Sequence, residues 1–327
     1  MAKVSIVVPI YNVEKYLPKC LDSLINQTFK DIEIWAISDG TPDNSVAIIK
    51  KYAKKDKRVK CIEKENGGYG SVLEYAIKNI KTEYFLICDP DDWLAKDAVE
   101  KLYNLAVKNK VDLVVGAKNL VYNDNEDIEY NDSKLKTVNI DVENLKTYKD
   151  DEVSKALFLT PSPHSKLYKT KNTKDIVFPH KVSFTDFLLY TVYLTKCHSF
   201  IYTDEALSYY LVDRPGNSMT DVNPKVFNYH ATVFTSVMQQ IEGTKLPYMY
   251  SHMVDHLRFI LNEFKHMQDK KAKEEKKEQI YALLKLCQKH RQEINRETYI
   301  FSKKVAQYNK LLLNPLTSKF FYNRYIK

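Results

Sequence analysis

A mostly parallel, doubly wound α/β sheet followed by a helical C-terminal region is the fold this 327-residue sequence predicts. Three observations carry it. Short apolar runs alternate with amphipathic helical segments over the first 120 residues, the pattern of strands joined by crossover helices. Polar and acidic residues gather just after those runs, where such sheets bind ligands. From about Asn223 onward strand signals fade and helical periodicity takes over.

The elements follow in order. Val4 to Ile10 is a continuous apolar run, as a parallel strand covered on both faces requires. Tyr11-Asn12 ends it, and Leu17, Leu21, Leu24 and Ile25 mark a helix, with Pro18 tolerable in its first turn. Ile32 to Ile37 is a second strand, closed by Ser38-Asp39-Gly40. Asp43 or Ser45 caps the next helix, through Val46, Ile49 and Tyr52. Val59 to Ile62 is a third strand, and Asn66-Gly67-Gly68-Tyr69-Gly70 a loop before a helix through Val72, Ile77 and Ile80. Tyr84 to Cys88 reads as a short buried strand, followed by a helix over 96–108 and a strand over 112–117. Residues 119–132 form a loop or hairpin. Pro161 to Ser165 is a rigid turn entering a strand, Phe178 to Val182 is extended, and Ser183-Phe184-Thr185-Asp186 starts an apolar helix. Helical spacing then runs through Val226 to Ile241 and Val254 to Phe264. Lys270 to Glu278 is a charged, solvated segment, and Ile280 begins another amphipathic helix.

Composition narrows the classes of function. Fifty basic residues against 42 acidic ones give a net charge of +8, which favours anionic ligands, polymers or membrane surfaces. No arginine-rich stretch occurs, so nucleic acid is not the expected partner. The apolar run near Met1 is too short for a signal peptide, and no run approaches a membrane span. Five scattered cysteines with no CxxC argue against disulfides and structural zinc and fit a reducing cytosol. The mixture of Leu, Phe, Tyr, Lys and Arg in Leu311 to Lys327 suits either an anionic membrane face or docking on the rest of the protein.

The chemistry centres on Asp89-Pro90-Asp91-Asp92-Trp93, after the fourth strand. Three carboxylates in four residues repel one another unless donors or a cation neutralise them. Oxygen ligands suit Mg²⁺ or Mn²⁺, which keep some water and share phosphate oxygens. An acidic turn capping the next helix is the plainer reading. The convergence of Tyr11-Asn12, Asp39, Gly67-Gly68 and Asp89 to Asp92 on one sheet edge favours the ligand reading. A dinucleotide-binding dehydrogenase is set aside, because no GxGxxG follows the first strand, and a P-loop is set aside for want of Gly-Lys-Ser/Thr.

In order, Val7-Val8-Pro9-Ile10-Tyr11-Asn12, Gln27-Thr28, Asp39-Gly40-Thr41, Asn66-Gly67-Gly68 and Asp89-Pro90-Asp91-Asp92-Trp93 resemble the family 2 inverting glycosyltransferases of the GT-A fold. The match is specific over about 120 residues and weaker to about 220. The resemblance implies a catalytic domain over 1–222, with a nucleotide part at 1–120 and an acceptor part at 121–222, and a helical domain over 223–327. It implies a UDP-sugar donor, a hexose or N-acetylhexosamine, a glycan, glycopolymer or glycoprotein acceptor, and a divalent cation. Pro9, Tyr11 and Asp39 then line the uracil pocket, with Asn12, Asn66, Gly67 and Gly68 on the nucleotide sugar. Asp91 sits near the ribose and shares the metal with Asp92, while Asp89 supports both. Two departures from the family stand out: Ser38 replaces the first of a paired aspartate, and Leu73 replaces an arginine near the nucleotide.

The resemblance also places a catalytic base at Asp186, where the family's Glu-Asp pair reads Thr185-Asp186. An inverting enzyme needs such a base on the acceptor side. Without the resemblance, a carboxylate favoured by the helix N-terminus explains it as well. His164 either lines the acceptor or diphosphate site or satisfies a buried turn. Arg214, in Arg214-Pro215-Gly216-Asn217-Ser218, either replaces the cation missing at Leu73 or is an incidental turn residue, and Ser218 is placed with it. The expectation is a cytoplasmic, metal-dependent glycosyltransferase, peripheral at the membrane or not, as a monomer or homo-oligomer. The alternatives are a sugar-nucleotide nucleotidyltransferase and a non-catalytic UDP-sugar-binding relative.

Overall fold

The structure is a computed structural model; it describes residues 2–122, 127–136, 138, 140–214 and 224–315. The first part alternates as the sequence predicts: β1 (Val4–Ile10), α1 (Leu17–Ile25), β2 (Ile32–Asp39), α2 (Ser45–Lys55), β3 (Val59–Lys64), α3 (Tyr69–Asn79) and β4 (Tyr84–Ile87). Next come β5 (Trp93–Leu94), α4 (Ala98–Asn109), β6 (Leu113–Tyr122), β7 (Asp127–Asn131), β8 (Thr147–Lys149), β9 (Lys166–Lys169), α5 (Thr185–Leu194) and β10 (Ser199–Leu211). The helical part holds α6 (Pro224–Gln240), α7 (Met249–His266), α8 (Lys270–Glu275), α9 (Lys277–Lys289), α10 (Arg291–Arg296) and α11 (Lys303–Leu313).

The strands form a sheet in the order β3-β2-β1-β4-β9-β6-β10-β5, with β7 beside β6 and β8 beside β10. Strands β3, β2, β1 and β4 run parallel. All seven residues of β1 are buried, because helices cover both faces. Val4, Ile6, Val8 and Ile10 pack with α1, α2 and α4; Val7 faces the other way, toward α3 and α5. Phe227, Val233, Phe234, Leu257, Phe264 and Leu283 of the helical part join that second core. The C-terminal helices pack on one another, on α5 and on the 3-10 segment Asp150–Phe158, so their apolar stripes extend the core on that side of the sheet.

The sheet is mostly parallel, with β6 and β10 running the same way as β3, β2, β1 and β4, but four strands run against them: β9 enters between β4 and β6, antiparallel to both, β5 and β8 pair antiparallel with β10, and β7 pairs antiparallel with β6. Hydrophobic periodicity reports that a segment is a strand but not its direction. Asn44, not Asp43 or Ser45, holds the N-cap position of α2; Asp43 accepts the Ser45 N–H from just outside, at 3.1 Å. Phe178 to Val182 carries no strand, and Lys181 instead donates its N–H to the Gly67 carbonyl at 2.6 Å. The segment over 119–132 does turn back as a hairpin, β6 with β7. Among the described residues no helix is long and apolar enough to cross a membrane. The expected amphipathic tail lies outside the described residues from 316 onward.

Candidate active site

The C-terminal ends of β1, β2 and β4 open on one cleft of about 1090 Å³. Pro9, Tyr11, Asp39, Asn66 and Gly68 line it, together with Asp89, Asp91, Asp92, His164, Asp186 and Arg214. The tyrosine ring is 51% exposed, so it offers a face to a planar ligand. Asn12 holds the rim through its backbone, donating its N–H to Thr41 Oγ1 at 2.7 Å. Ser218 lies outside the described residues.

Asp39 organises the glycine loop. Its carboxylate accepts the Gly67 and Gly68 N–H groups at 3.0 and 2.7 Å and the Lys64 ammonium at 2.6 Å. The Ser71 hydroxyl also reaches Oδ1, at 3.4 Å, whereas Oδ2 takes the Gly68 N–H, and a carboxylate oxygen has two lone pairs, so a ligand N–H can still be met at Oδ2. Gly68 has φ +84°, and a Cβ there would meet Lys181 backbone atoms at 2.9 Å. The loop therefore needs glycine to lie against the segment that leads to Asp186. Leu73 is 1% exposed in the core under α3, so its side chain belongs to packing.

The acidic loop after β4 spreads its carboxylates over different partners. Asp89 accepts the Tyr69 hydroxyl at 2.7 Å. Asp91 pairs with the Arg214 guanidinium, so Arg214 does return to the acidic loop. Asp92 is 2% exposed; it accepts the Leu211 N–H at 2.8 Å and lies 2.7 Å from His164 Nε2. Burial, then the charge of Asp91, pushes the Asp89 carboxyl up to about 8. Burial and the neighbouring acids raise Asp92 as well, and burial, with Lys118 and Lys166, holds His164 neutral.

These residues fit a divalent cation. One ligand atom each from Asp89, Asp92 and His164 lie within 4.8 Å of one another. Acids that resist ionising because they are shielded from water and close to one another are relieved by a positive ion. Carboxylate oxygens suit Mg²⁺ and Mn²⁺, and imidazole suits softer ions better. The sequence paired Asp92 with Asp91 for this task; the fold brings Asp89 and His164 to Asp92 and turns Asp91 to Arg214.

Asp186 opens α5 behind Phe184, whose φ of +65° bends the chain into the helix, and its neighbour Thr185 stands against Gly70 at the start of α3. Burial raises the Asp186 carboxyl, offset in part by backbone N–H groups and by Lys118 and Lys166. Those two buried lysines, on β6 and β9, escaped sequence reasoning. A lysine in an apolar strand, as in Leu113 to Tyr122, was the available signal. Tyr229, His230 and Phe259 from the C-terminal helices line the same cleft. His230 stacks on Phe184 with centroids 3.9 Å apart.

Comparison with known proteins gives the family and the fold. Residues 5–177 match the family model described as glycosyl transferase family 2. The chain is 35% identical over 218 residues to "Glycosyltransferase GlyA" of Streptococcus pneumoniae, covering 64% of this chain and 30% of that one. It is 33% identical over 226 residues to the poly(ribitol-phosphate) beta-glucosyltransferase of Bacillus spizizenii, covering 67% and 33% respectively. The chain thus spans about a third of the length of these relatives. Among solved structures, S. aureus TarS 1-349 in complex with UDP-GlcNAc superposes with a TM-score of 0.74 at 22% identity, over 99% of this chain and 89% of that one. That likeness establishes the GT-A fold. With the family model covering more than half of the chain, the nucleotidyltransferase alternative falls away, and the chain belongs to glycosyl transferase family 2 as a glycosyltransferase.

Proposed function

We propose that this chain is an inverting glycosyltransferase that moves a hexose or N-acetylhexosamine from a UDP-sugar to a glycopolymer, assisted by Mn²⁺ or Mg²⁺. The observation that carries the reading is the shared cleft. The ends of β1, β2 and β4, the acidic loop and Asp186 all line it. Support also comes from the relative named for poly(ribitol-phosphate) and from the neighbour crystallised with UDP-GlcNAc.

In this reading Tyr11 stacks on the uracil, and Asp39 accepts its N3 proton beside Pro9. Asp91 faces the ribose, and Asp89, Asp92 and His164 hold the cation. When bound, the cation supplies a positive charge that stabilises the departing diphosphate. Arg214 adds a second positive charge on that side, in the role that the buried Leu73 cannot fill. Asp186 takes the proton from an acceptor hydroxyl as that oxygen attacks the anomeric carbon. The new carbon–oxygen bond forms opposite the diphosphate, whose bond to the same carbon breaks, so configuration inverts. The catalytic part is assigned to 1–222, and the helical part over 223–327 to the wall that closes the acceptor side. UDP release from a panel of UDP-glucose, UDP-N-acetylglucosamine, UDP-galactose and UDP-N-acetylgalactosamine, with Mn²⁺ and then with EDTA, tests the proposal. One donor should give Mn²⁺-dependent UDP; release of pyrophosphate, or turnover that survives chelation, counts against it.

A further inference from the structure

Two lysines stand in the interior beside the site with no carboxylate in ion-pair contact among the described residues. Lys118 on β6 is 6% exposed and Lys166 on β9 is 1% exposed. Burying an ammonium without an opposite charge is costly, so each should have a specific task. Both ammonium groups meet on one residue of the turn before β9. Lys166 Nζ donates to the Ser162 carbonyl at 2.5 Å and reaches the His164 carbonyl at 3.5 Å. Lys166 therefore holds the turn that presents His164. Lys118 Nζ donates to Ser162 Oγ at 2.8 Å, and its side chain lines the cleft. An ammonium has three N–H donors; Ser162 takes one, and the Tyr210 ring stands with its centroid 5.9 Å from the Lys118 ammonium, a distance at which a ring face uses none of the hydrogen-bond positions fully.

Lys118 belongs to the half of the cleft away from the nucleotide. Strand order puts β6 two strands beyond β4, on the side opposite β1, β2 and β3. At the usual strand spacing that is about 10 Å from the strand that carries the acidic loop. Asp186 and Asp92 are the carboxylates whose charge acts on it. We infer that Lys118, seated on Ser162, is an anion-binding residue of the acceptor subsite, and that the acceptor carries a phosphate close to the hydroxyl that is attacked. The inference rests on the transferase reading above and adds the chemical class of its acceptor. Burial lowers the Lys118 ammonium to about 8, which leaves it charged at neutral pH and ready to pair. Ser162 fixes its direction, so little side-chain freedom remains to be lost when an anion binds.

The phosphate could instead be the donor's own, and the experiment separates the two. The purified full chain with UDP and Mn²⁺ is titrated calorimetrically with a synthetic ribitol-phosphate oligomer and with neutral chitotriose. The same titrations follow for Lys118→Met and Lys118→Arg. UDP–Mn²⁺ affinity is measured for every protein and also reports that the variants are folded. The expected result is oligomer binding by the wild type, weakened about 10- to 100-fold in Lys118→Met by loss of a charge-assisted hydrogen bond, and largely kept in Lys118→Arg. The oligomer affinity should fall by a much larger factor than the UDP affinity. An equal or larger fall in UDP affinity would assign the lysine to the donor diphosphate and overturn the inference. So would equal weakening toward chitotriose, unaltered oligomer affinity in Lys118→Met, or no binding of the oligomer by the wild type. Absence of any UDP–Mn²⁺ binding by the wild type would sink the transferase reading itself.

Discussion

Replacing Asp186 with asparagine removes one proton acceptor and almost nothing else. The side chain is half-buried in the first turn of α5, where nearby backbone N–H groups favour its charged form. An amide oxygen can accept the same backbone donors, so helix and cleft should persist. A positioned general base typically contributes 10²- to 10⁴-fold, or about 2.7–5.5 kcal/mol at 1.36 kcal/mol per tenfold. The expected outcome is a fall of that size in kcat for UDP-sugar turnover, with UDP affinity nearly as before. The pH dependence has a defined sign. Burial raises the Asp186 carboxyl, so the base is lost by protonation as pH falls through a value above the ordinary carboxylate range. The acid limb of kcat/KM should lie there in the wild type and vanish in Asp186→Asn. Stability has a sign too. A carboxyl whose folded pKa is raised favours folding below its unfolded pKa, and that contribution disappears as pH rises through the folded value. At pH 7 the buried charge is therefore a liability, and Asp186→Asn should match or exceed the wild type in urea midpoint. Turnover within threefold of wild type, or an acid limb that survives the substitution, would refute the assignment.

Two further substitutions probe the frame around the chemistry. Gly68→Ala places a Cβ 2.9 Å from Lys181 backbone at φ +84°, and backbone cannot move aside cheaply. It should cost about 1–3 kcal/mol in urea unfolding and weaken UDP binding, because the loop must leave Lys181; an unchanged midpoint contradicts the loop argument. Leu73→Arg should fail to add a nucleotide contact, since the position is 1% exposed in the core. Roughly 3 kcal/mol or more of destabilisation is expected from a buried unpaired guanidinium; tighter UDP binding at unchanged stability would show that the side chain can reach the cleft.

Much of the cleft is legible in the order of residues along the chain. Tyr11, Asp39, Gly68 and Asp89 to Asp92 each follow a strand that announces itself by an apolar run, and such strand ends share one edge of a parallel sheet. Asp186 stands in a motif on a helix whose start is also marked locally. The long-range pairs of the cleft are less legible. Asp92 and His164 are 72 residues apart, and they meet because β9 runs back between β4 and β6. Lys118 and Ser162 are 44 residues apart and meet on that same insertion.

The amino-acid sequence alone determined which segments become strands and helices, where the glycines must stand and which acids follow β4. Those properties depend on neighbours a few residues away, through backbone sterics and apolar spacing. The tertiary structure alone decided that β9 runs antiparallel, that His164 answers Asp92 while Arg214 answers Asp91, and that the C-terminal helices wall the cleft. Strand order and long-range pairing are set by the burial of whole faces against one another, a sum over distant residues that no local stretch of chain contains.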